Sequence, residues 1–504
     1  MRGALLVLGT SSGAGKTTVV TGLCRWLARR GVAVAPFKAQ NMSLNSFVTE
    51  AGDEIARAQA VQAWAANTEP DVAMNPVLLK PGSDTRSQVV VLGHPVRELE
   101  AGDWDSKAGL LDVVTDAFRQ LRKRYDVVVC EGAGSPAEVN LRSSDIVNLG
   151  FARAVGIRAV VVGDIDRGGV FAAFTGTVAV LEPEDQDLVR GFIVNRFRGD
   201  VRLLGAALDA MPRLVGRRVH GVIPYVSGLG LDAEDALDPE LYRHPRSPVG
   251  EEVLRVGVVR LPRASNMTDL DPLVAEPGVL VRPLDHPEET ADCDLVVLPG
   301  TRATVSDLTW LRQRHFDRAL AARTAEGRPV LGICGGYQML GRRIVDTVES
   351  GAGAVDGLGL LPVCTEFAPG KFLARPRGTL ADGSTVTGYE IRHGRVRVDG
   401  GTPLFADEGC RVGAVAGTTW HGVFENDALR RWFLAEVAAM SGRRFVPAAD
   451  FSFAQHREAR IDTIADLIDQ HVDTDALLQL MADGGGEHPP RMAVSLVRET
   501  PVTG

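Results

Sequence analysis

An apolar run, Ala4–Leu8, passes without interruption into Gly9-Thr10-Ser11-Ser12-Gly13-Ala14-Gly15-Lys16-Thr17-Thr18. A strand, a glycine-rich loop and a helix in that order confine the start of the chain to one kind of architecture. The loop's backbone N–H groups can turn inward around an anion, and the helix N-terminus adds its positive dipole end. The strand that feeds such a loop is buried on both faces, which predicts a parallel sheet covered by helices. Thr10 stands where the strict phosphate-loop pattern has its first glycine, and the rest fits. Gly13, Gly15, Lys16, Thr17 and Thr18 are therefore candidate nucleotide-binding residues, with Lys16 reaching the β/γ-phosphates and Thr17 holding Mg²⁺.

A second chemical signature lies in the other half. The apolar stretch Pro329-Val330-Leu331 leads into Gly332-Ile333-Cys334-Gly335-Gly336-Tyr337-Gln338. Gly-x-Cys-x-Gly after a short strand describes a nucleophile elbow, in which a sharp turn presents the central side chain and the glycines remove clashing Cβ atoms. A thiol at the start of the following helix is biased toward thiolate. Thr418-Thr419-Trp420-His421-Gly422 closes another apolar run and supplies His421 as the candidate base. The bland alternatives are a buried structural thiol and a satisfied core histidine.

At 504 residues the chain is too long for one core, and two or three domains are expected. Strands are predicted at Ala4–Leu8, Val32–Phe37, Val127–Cys130, Ala159–Val162, Gly191–Val194 and Val219–Val222. A second α/β series is predicted at Arg255–Leu261, Leu295–Leu298, Pro329–Ile333 and Gly413–Thr419. The Asp-, Glu-, Pro- and Gly-rich stretch between Ser227 and Glu252 is the expected boundary, giving domains at 1–235 and 254–440. Asp427–Met440 and Ile461–Met481 read as amphipathic helices packing back on the body, the latter in an extension over 441–481; a disordered tail is expected at 482–504. A net charge of −9 argues against general nucleic-acid binding. Six scattered cysteines without metal spacing suggest reduced thiols in a cytoplasmic protein. No run approaches membrane-spanning length. Oligomeric state is not legible.

Carboxylates gather where strands end. Glu131 follows Asp126–Cys130, and Asp164 and Asp166 close the next strand before Arg167-Gly168-Gly169. Singly such residues are usually caps; on consecutive strand ends beside a phosphate loop they point to metal or substrate binding.

Several longer segments carry a resemblance. Pro36-Phe37-Lys38-Ala39-Gln40-Asn41-Met42-Ser43-Leu44-Asn45, Met74-Asn75-Pro76-Val77-Leu78-Leu79-Lys80-Pro81, Glu131-Gly132-Ala133-Gly134-Ser135-Pro136-Ala137-Glu138 and Asp164-Ile165-Asp166-Arg167-Gly168-Gly169-Val170-Phe171 resemble the cobyric acid synthases. Val194-Asn195-Arg196-Phe197-Arg198-Gly199-Asp200, Leu298-Pro299-Gly300-Thr301 and the Cys334 elbow continue the match, which covers nearly the whole chain except its last twenty or so residues. The resemblance implies a dethiobiotin-synthetase-like P-loop domain followed by a class I, triad-type glutamine amidotransferase domain. It implies ATP- and glutamine-dependent amidation of four carboxylates (b, d, e and g) of the corrinoid adenosylcobyrinic acid a,c-diamide. By that likeness Thr17, Glu54 and Glu131 bind Mg²⁺, with Asp53 an alternative to Glu54. Lys16 and Lys38 meet phosphate or the reacting carboxylate, near Asp164 and Asp166, and Asn195 contacts adenine. Cys334 attacks glutamine with His421 as base, and Gly300 and Gly335 form the oxyanion hole.

Two departures stand out. Triad amidotransferases commonly carry Glu two residues past the histidine, where this chain has Val423. Glu425 is the nearest acidic residue, but an offset of four in an extended segment spans about 13 Å. The expectation is a Cys334–His421 dyad helped by backbone or water. In Tyr389-Glu390-Ile391-Arg392-His393-Gly394 the resemblance leads one to expect histidine at Arg392, with the adjacent His393 as the candidate substitute. Among rival readings, cobyrinic acid a,c-diamide synthase shares the chemistry but not the Phe-Lys-Ala-Gln-Asn-Met segment. A partitioning ATPase would carry a lysine at Ser11, and a dead amidotransferase fold would not keep Cys334 and His421.

Overall fold

A computed structural model describes residues 2–82, 86–100, 109–229, 246–483 and 489–492. Strands β1 (Gly3–Gly9), β2 (Val34–Phe37), β3 (Val127–Glu131), β4 (Arg158–Asp164), β5 (Val189–Phe197) and β6 (Val219–Pro224) form one sheet in the order β6-β5-β4-β1-β3-β2, every pair parallel. β1 is buried along its whole length, as a central parallel strand flanked by helices must be. Its carboxyl end runs into the phosphate loop and the helix Lys16–Arg29.

The second sheet contains β7 (Leu254–Val259), β8 (Val279–Leu284), β9 (Leu295–Leu298), β10 (Val330–Ile333), β11 (Cys410–Val412) and β12 (Val415–Thr418), in the order β8-β7-β9-β10-β12-β11. Only the β11–β12 edge pair is antiparallel. β10 and β12 are neighbours, with Ile333 opposite Thr418, so the elbow and the segment carrying His421 leave the sheet side by side.

Smaller sheets decorate both bodies. Gln40–Met42, Val77–Pro81, Arg86–Val91 and His94–Glu100 build a four-stranded sheet on the first module. Arg343–Asp346, Gly353–Asp356, Val363–Ala374 and Glu390–Val398 build another on the second.

The expected single helix over 461–481 is two, Phe453–His471 and Thr474–Asp483. The break falls where Val472 bridges Gly221 and Asp473 caps the next helix by accepting from the Ala476 N–H at 3.0 Å. The longer helix crosses back to the first module, where Ile464 and Ile468 press on Gly22 so closely that a Cβ there would lie 2.7 Å from Ile468. Arg29 reaches Asp462 at 2.8 Å, and the Trp26 indole N–H donates to Asp469 at 2.7 Å. Most of the expected tail and boundary, 484–488, 493–504 and 230–245, lies outside the described residues. Pro490–Met492, however, are docked: the Pro490 carbonyl accepts from Arg217 at 3.1 Å, and the Met492 N–H donates to Gln186 at 2.7 Å. All six cysteines are free thiols. Among the described residues, no helix is long and apolar enough to cross a membrane.

Candidate active sites

The phosphate loop owes its shape to Gly13 and Gly15, whose φ of 72° and 99° suit glycine. Lys16 is buried and its Nζ donates to the carbonyls of Ser11 and Gly134, both at 2.9 Å. It therefore spans the loop and the segment after β3. Thr17 donates through Oγ1 to Glu131 Oε1 at 2.9 Å, and Lys38 Nζ donates to the same oxygen at 2.8 Å. Gln62 donates to Glu131 Oε2 at 2.5 Å. Thr17, Lys38 and Glu131 thus converge beside the loop, while Thr18 lies half-buried in the first helical turn. Asn195, at the end of β5, donates to the Ala14 carbonyl at 3.1 Å and so touches the loop backbone.

Mg²⁺ favours hard oxygen donors and keeps several waters or phosphate oxygens in its shell. Thr17 and Glu131 fit that requirement, a hydroxyl and a carboxylate in contact beside a phosphate cradle. Glu54 does not. Its carboxylate is buried and clamped by two ammonium groups, Lys80 at 2.6 Å and Lys371. Burial opposes its charge, yet Lys371 and Lys80 hold the carboxyl well below the usual range. The expectation that Glu54 joins Thr17 and Glu131 as a metal ligand is corrected by this ion-pair cluster. Asp53 lies 3.3 Å from His94 instead. Asp164 and Asp166 are paired with arginines at 2.9 Å, Arg196 and Arg198 respectively, and tie down the end of β5 and the start of the loop after it.

In the second module Cys334 has φ 49° and ψ −106°, left-handed backbone that a non-glycine residue rarely adopts. The turn is fixed on both sides, by the Cys334 N–H donating to Thr418 at 2.8 Å and the Gln338 N–H donating to Cys334 at 3.0 Å. Close packing explains the glycines: a Cβ on Gly336 would sit 2.0 Å from the Leu298 carbonyl oxygen. Gly300 packs against the imidazole, its hypothetical Cβ 3.1 Å from His421 Cε1, and Gly335 lies against Thr301.

His421 is buried, and its backbone exchanges two hydrogen bonds with Tyr389, whose ring stacks on the imidazole at 5.3 Å. Its Nδ1 contacts Asp269 Oδ2 at 2.7 Å, while Asp269 Oδ1 accepts from the Gly422 N–H at 2.7 Å. The orienting group is a carboxylate after all, and the dyad expectation is corrected. Asp269 sits on the turn Met267–Leu270, far upstream of the histidine. Nothing near Val423 signals it. Glu425 is occupied elsewhere, by Arg57 at 2.6 Å and Arg457 at 2.8 Å. Burial pushes the imidazole pKa down, but Asp269 and the Cys334 sulfur, also hydrogen-bonded to the ring, raise it to about 10. Both neighbours thus favour a proton on the ring.

A narrow pocket of about 40 Å³ opens at Cys334 and His421, below the usual range for small-ligand sites. Arg302, Glu349, Lys371 and His393 line it together with Lys80 from the first module. His393 donates from Nδ1 to the Ala368 carbonyl, 3.1 Å away, and burial pushes its pKa down to about 4. Arg392 is held by Glu390 at 2.8 Å. The neutral ring of His393 lines the pocket, but the triad geometry needs nothing from it.

A parallel sheet presenting a phosphate loop, joined to a second presenting a Cys–His–Asp elbow, defines a glutamine-dependent amidotransferase with a nucleotide-binding module. The comparisons with known proteins agree. Residues 5–237 match the CobQ/CobB/MinD/ParA nucleotide binding domain, and residues 255–429 the CobB/CobQ-like glutamine amidotransferase domain. A cobyric acid synthase of Streptomyces avermitilis is 59% identical over 491 residues, 96% of this chain and 97% of the relative. Those of Streptomyces coelicolor and Frankia casuarinae are 58% and 57% identical, covering 97% and 96% of this chain and 98% of each relative. The chain belongs to the cobyric acid synthase family.

Proposed function

We propose that the chain amidates the b, d, e and g side-chain carboxylates of adenosylcobyrinic acid a,c-diamide, giving adenosylcobyric acid, with glutamine as nitrogen source and ATP as activator. The observation that carries this reading is that both chemical centres occur on one chain matched end to end by named cobyric acid synthases. Residues 1–235 are the synthetase module, 254–440 the glutaminase and 441–481 a helical extension. The reaction belongs in the cytoplasm, where ATP and glutamine are available.

A carboxylate resists ammonia because its carbon is electron-rich and its leaving group poor. Attack of a carboxylate oxygen on the γ-phosphorus of ATP releases ADP and leaves an acyl phosphate; ammonia then displaces phosphate and forms the amide. Lys16 and Lys38 supply positive charge at the transferring group. Thr17 and Glu131 are the residues that would hold Mg²⁺, which when bound neutralises charge on the phosphate oxygens. Asn195 borders the nucleotide, and Asp164 and Asp166 order the loop beside it.

Ammonia is generated at the elbow. His421 takes the Cys334 thiol proton as the sulfur attacks the glutamine amide carbon, and the backbone at Gly300 and Gly335 receives the developing oxyanion. The His421 imidazolium, oriented by Asp269, gives its proton to the departing nitrogen. The neutral ring then takes a proton from water, which hydrolyses the thioester and frees glutamate.

Replacing Cys334 by Ala should abolish glutamine-dependent amidation and leave ammonium chloride able to support it. Mass spectrometry of the corrinoid should follow four successive carboxylate-to-amide conversions with ammonia. Failure of ammonia to rescue the variant would separate the chain from this division of labour.

A further inference from the structure

The pocket at Cys334 contains a charged wall that the hydrolysis of an amide does not itself require. Lys80, Lys371 and Arg302 line it with Glu349, and Glu54 lies directly behind the two lysines. Counting these five side chains gives three cations against two carboxylates. Such a wall suits an amino-acid head group, whose carboxylate needs cationic donors and whose ammonium needs an acidic acceptor.

Lys80 belongs to the strand Val77–Pro81 of the synthetase module, whereas Lys371 belongs to the strand Val363–Ala374 of the glutaminase. Both are buried. Lys80 donates to Ser46 Oγ at 3.0 Å and to Glu54 at 2.6 Å. An ammonium has three N–H donors, and among the described residues these two partners leave one for a ligand. Glu54 holds the two ammonium groups together across the module boundary. The proximity is also felt electrostatically: burial raises the Glu349 pKa, and Arg302, Lys371 and Lys80 pull it back.

We propose that Lys80 is a glutamine-recognition residue contributed by the synthetase module, binding the substrate's α-carboxylate together with Lys371 while Glu54 positions both ammonium groups. The glutamine site is incomplete without the other module, so the nitrogen donor is bound only where its ammonia can be used. Glu349, held through Oε1 by Arg302, offers its other oxygen to the α-ammonium group. The inference rests on Cys334 being the glutamine-hydrolysing nucleophile.

The test uses the full chain with Lys80→Met and the conservative Lys80→Arg. The glutaminase KM for glutamine should rise about tenfold or more in Lys80→Met, the scale of one lost charge-assisted hydrogen bond, and recover partly in Lys80→Arg. Two reagents read Cys334 directly. 6-Diazo-5-oxo-L-norleucine carries the amino-acid head group and should inactivate Lys80→Met about tenfold more slowly; iodoacetamide lacks it and should alkylate Cys334 as fast as in the parent protein. If Lys80→Met is unstable, Lys80→Gln, which keeps an amide donor toward Glu54 without the charge while Lys371 still pairs that carboxylate, is read in the same way. An unchanged KM, or equal slowing by both reagents, overturns the proposal. Absence of glutaminase activity in the parent protein would instead defeat the underlying assignment of Cys334.

Discussion

Asp269 carries the sharpest expectation at the scale of single residues. It fixes both the imidazole, through Nδ1, and the Gly422 N–H, so Asp269→Asn should keep the shape while removing the charge. Loss of such a carboxylate in related triads costs roughly 10²–10⁴ in turnover, and glutaminase activity should fall by that order while ammonia-dependent amidation persists. Glu425→Gln, whose partners are Arg57 and Arg457, should stay near the parent rate. The same pair leaves a mark on stability. The His421 pKa is raised to about 10 in the folded protein, against about 6.5 when unfolded. Its stabilisation is complete below about pH 6.5 and is lost as pH climbs toward 10. Thermal midpoints measured across that window should fall more steeply in the parent than in Asp269→Asn. A parallel decline would contradict the ion pair.

At the scale of elements, the turn that carries Asp269 is braced from the other module. The Met267 N–H donates to Asn45 Oδ1 at 3.0 Å, and the Ser46 N–H donates to Asn266 Oδ1 at 2.8 Å. Asn45→Ala leaves the Met267 N–H without that acceptor, a penalty of about 1–3 kcal/mol where the group is buried. Displacement of the turn should lower glutaminase kcat about tenfold, because small misplacements of catalytic groups are expensive. Nucleotide affinity should not change; an unaltered kcat would show the brace to be idle. This element also marks where sequence reading ran out. The elbow and phosphate loop were legible because their chemistry is local: glycines, a nucleophile or lysine, and an apolar run before each. Asp269 lies 152 residues from His421 and reaches it only through the tertiary fold, as Glu54 reaches Lys371 over 317 residues. The short strands Gln40–Met42 and Ser46–Val48 were missed for a related reason, since three residues offer no period to read. The helical run after Ile461 kept its period, but Val472 and Asp473 end one helix and start another through contacts with the first sheet.

Across the whole molecule, the glutaminase pocket is lined by a synthetase lysine, and the C-terminal helix Phe453–His471 is clamped on the synthetase helix Lys16–Arg29. Phe47 of the first module packs edge-on against Tyr389 at 5.0 Å, and Tyr389 stacks on His421. The architecture therefore joins the ammonia-producing centre to the activating one without merging their chemistry. Ammonia in neutral water is mostly ammonium, so release beside the consuming module preserves the nucleophilic form. Separate chemistry on a shared frame has a direct consequence for Lys16, whose Nζ bridges Ser11 and Gly134 in the phosphate loop. Lys16→Ala should abolish amidation with either glutamine or ammonium chloride, because acyl phosphate formation precedes both. The loss of one transition-state cation commonly costs about 3–4 kcal/mol, or two to three orders of magnitude in rate. Cys334 in that variant should still be alkylated by 6-diazo-5-oxo-L-norleucine, since the elbow, His421 and Asp269 draw nothing from the phosphate loop. Ammonia-dependent product at the parent rate would remove the loop from the activation step, and loss of alkylation would show that the two centres cannot be uncoupled.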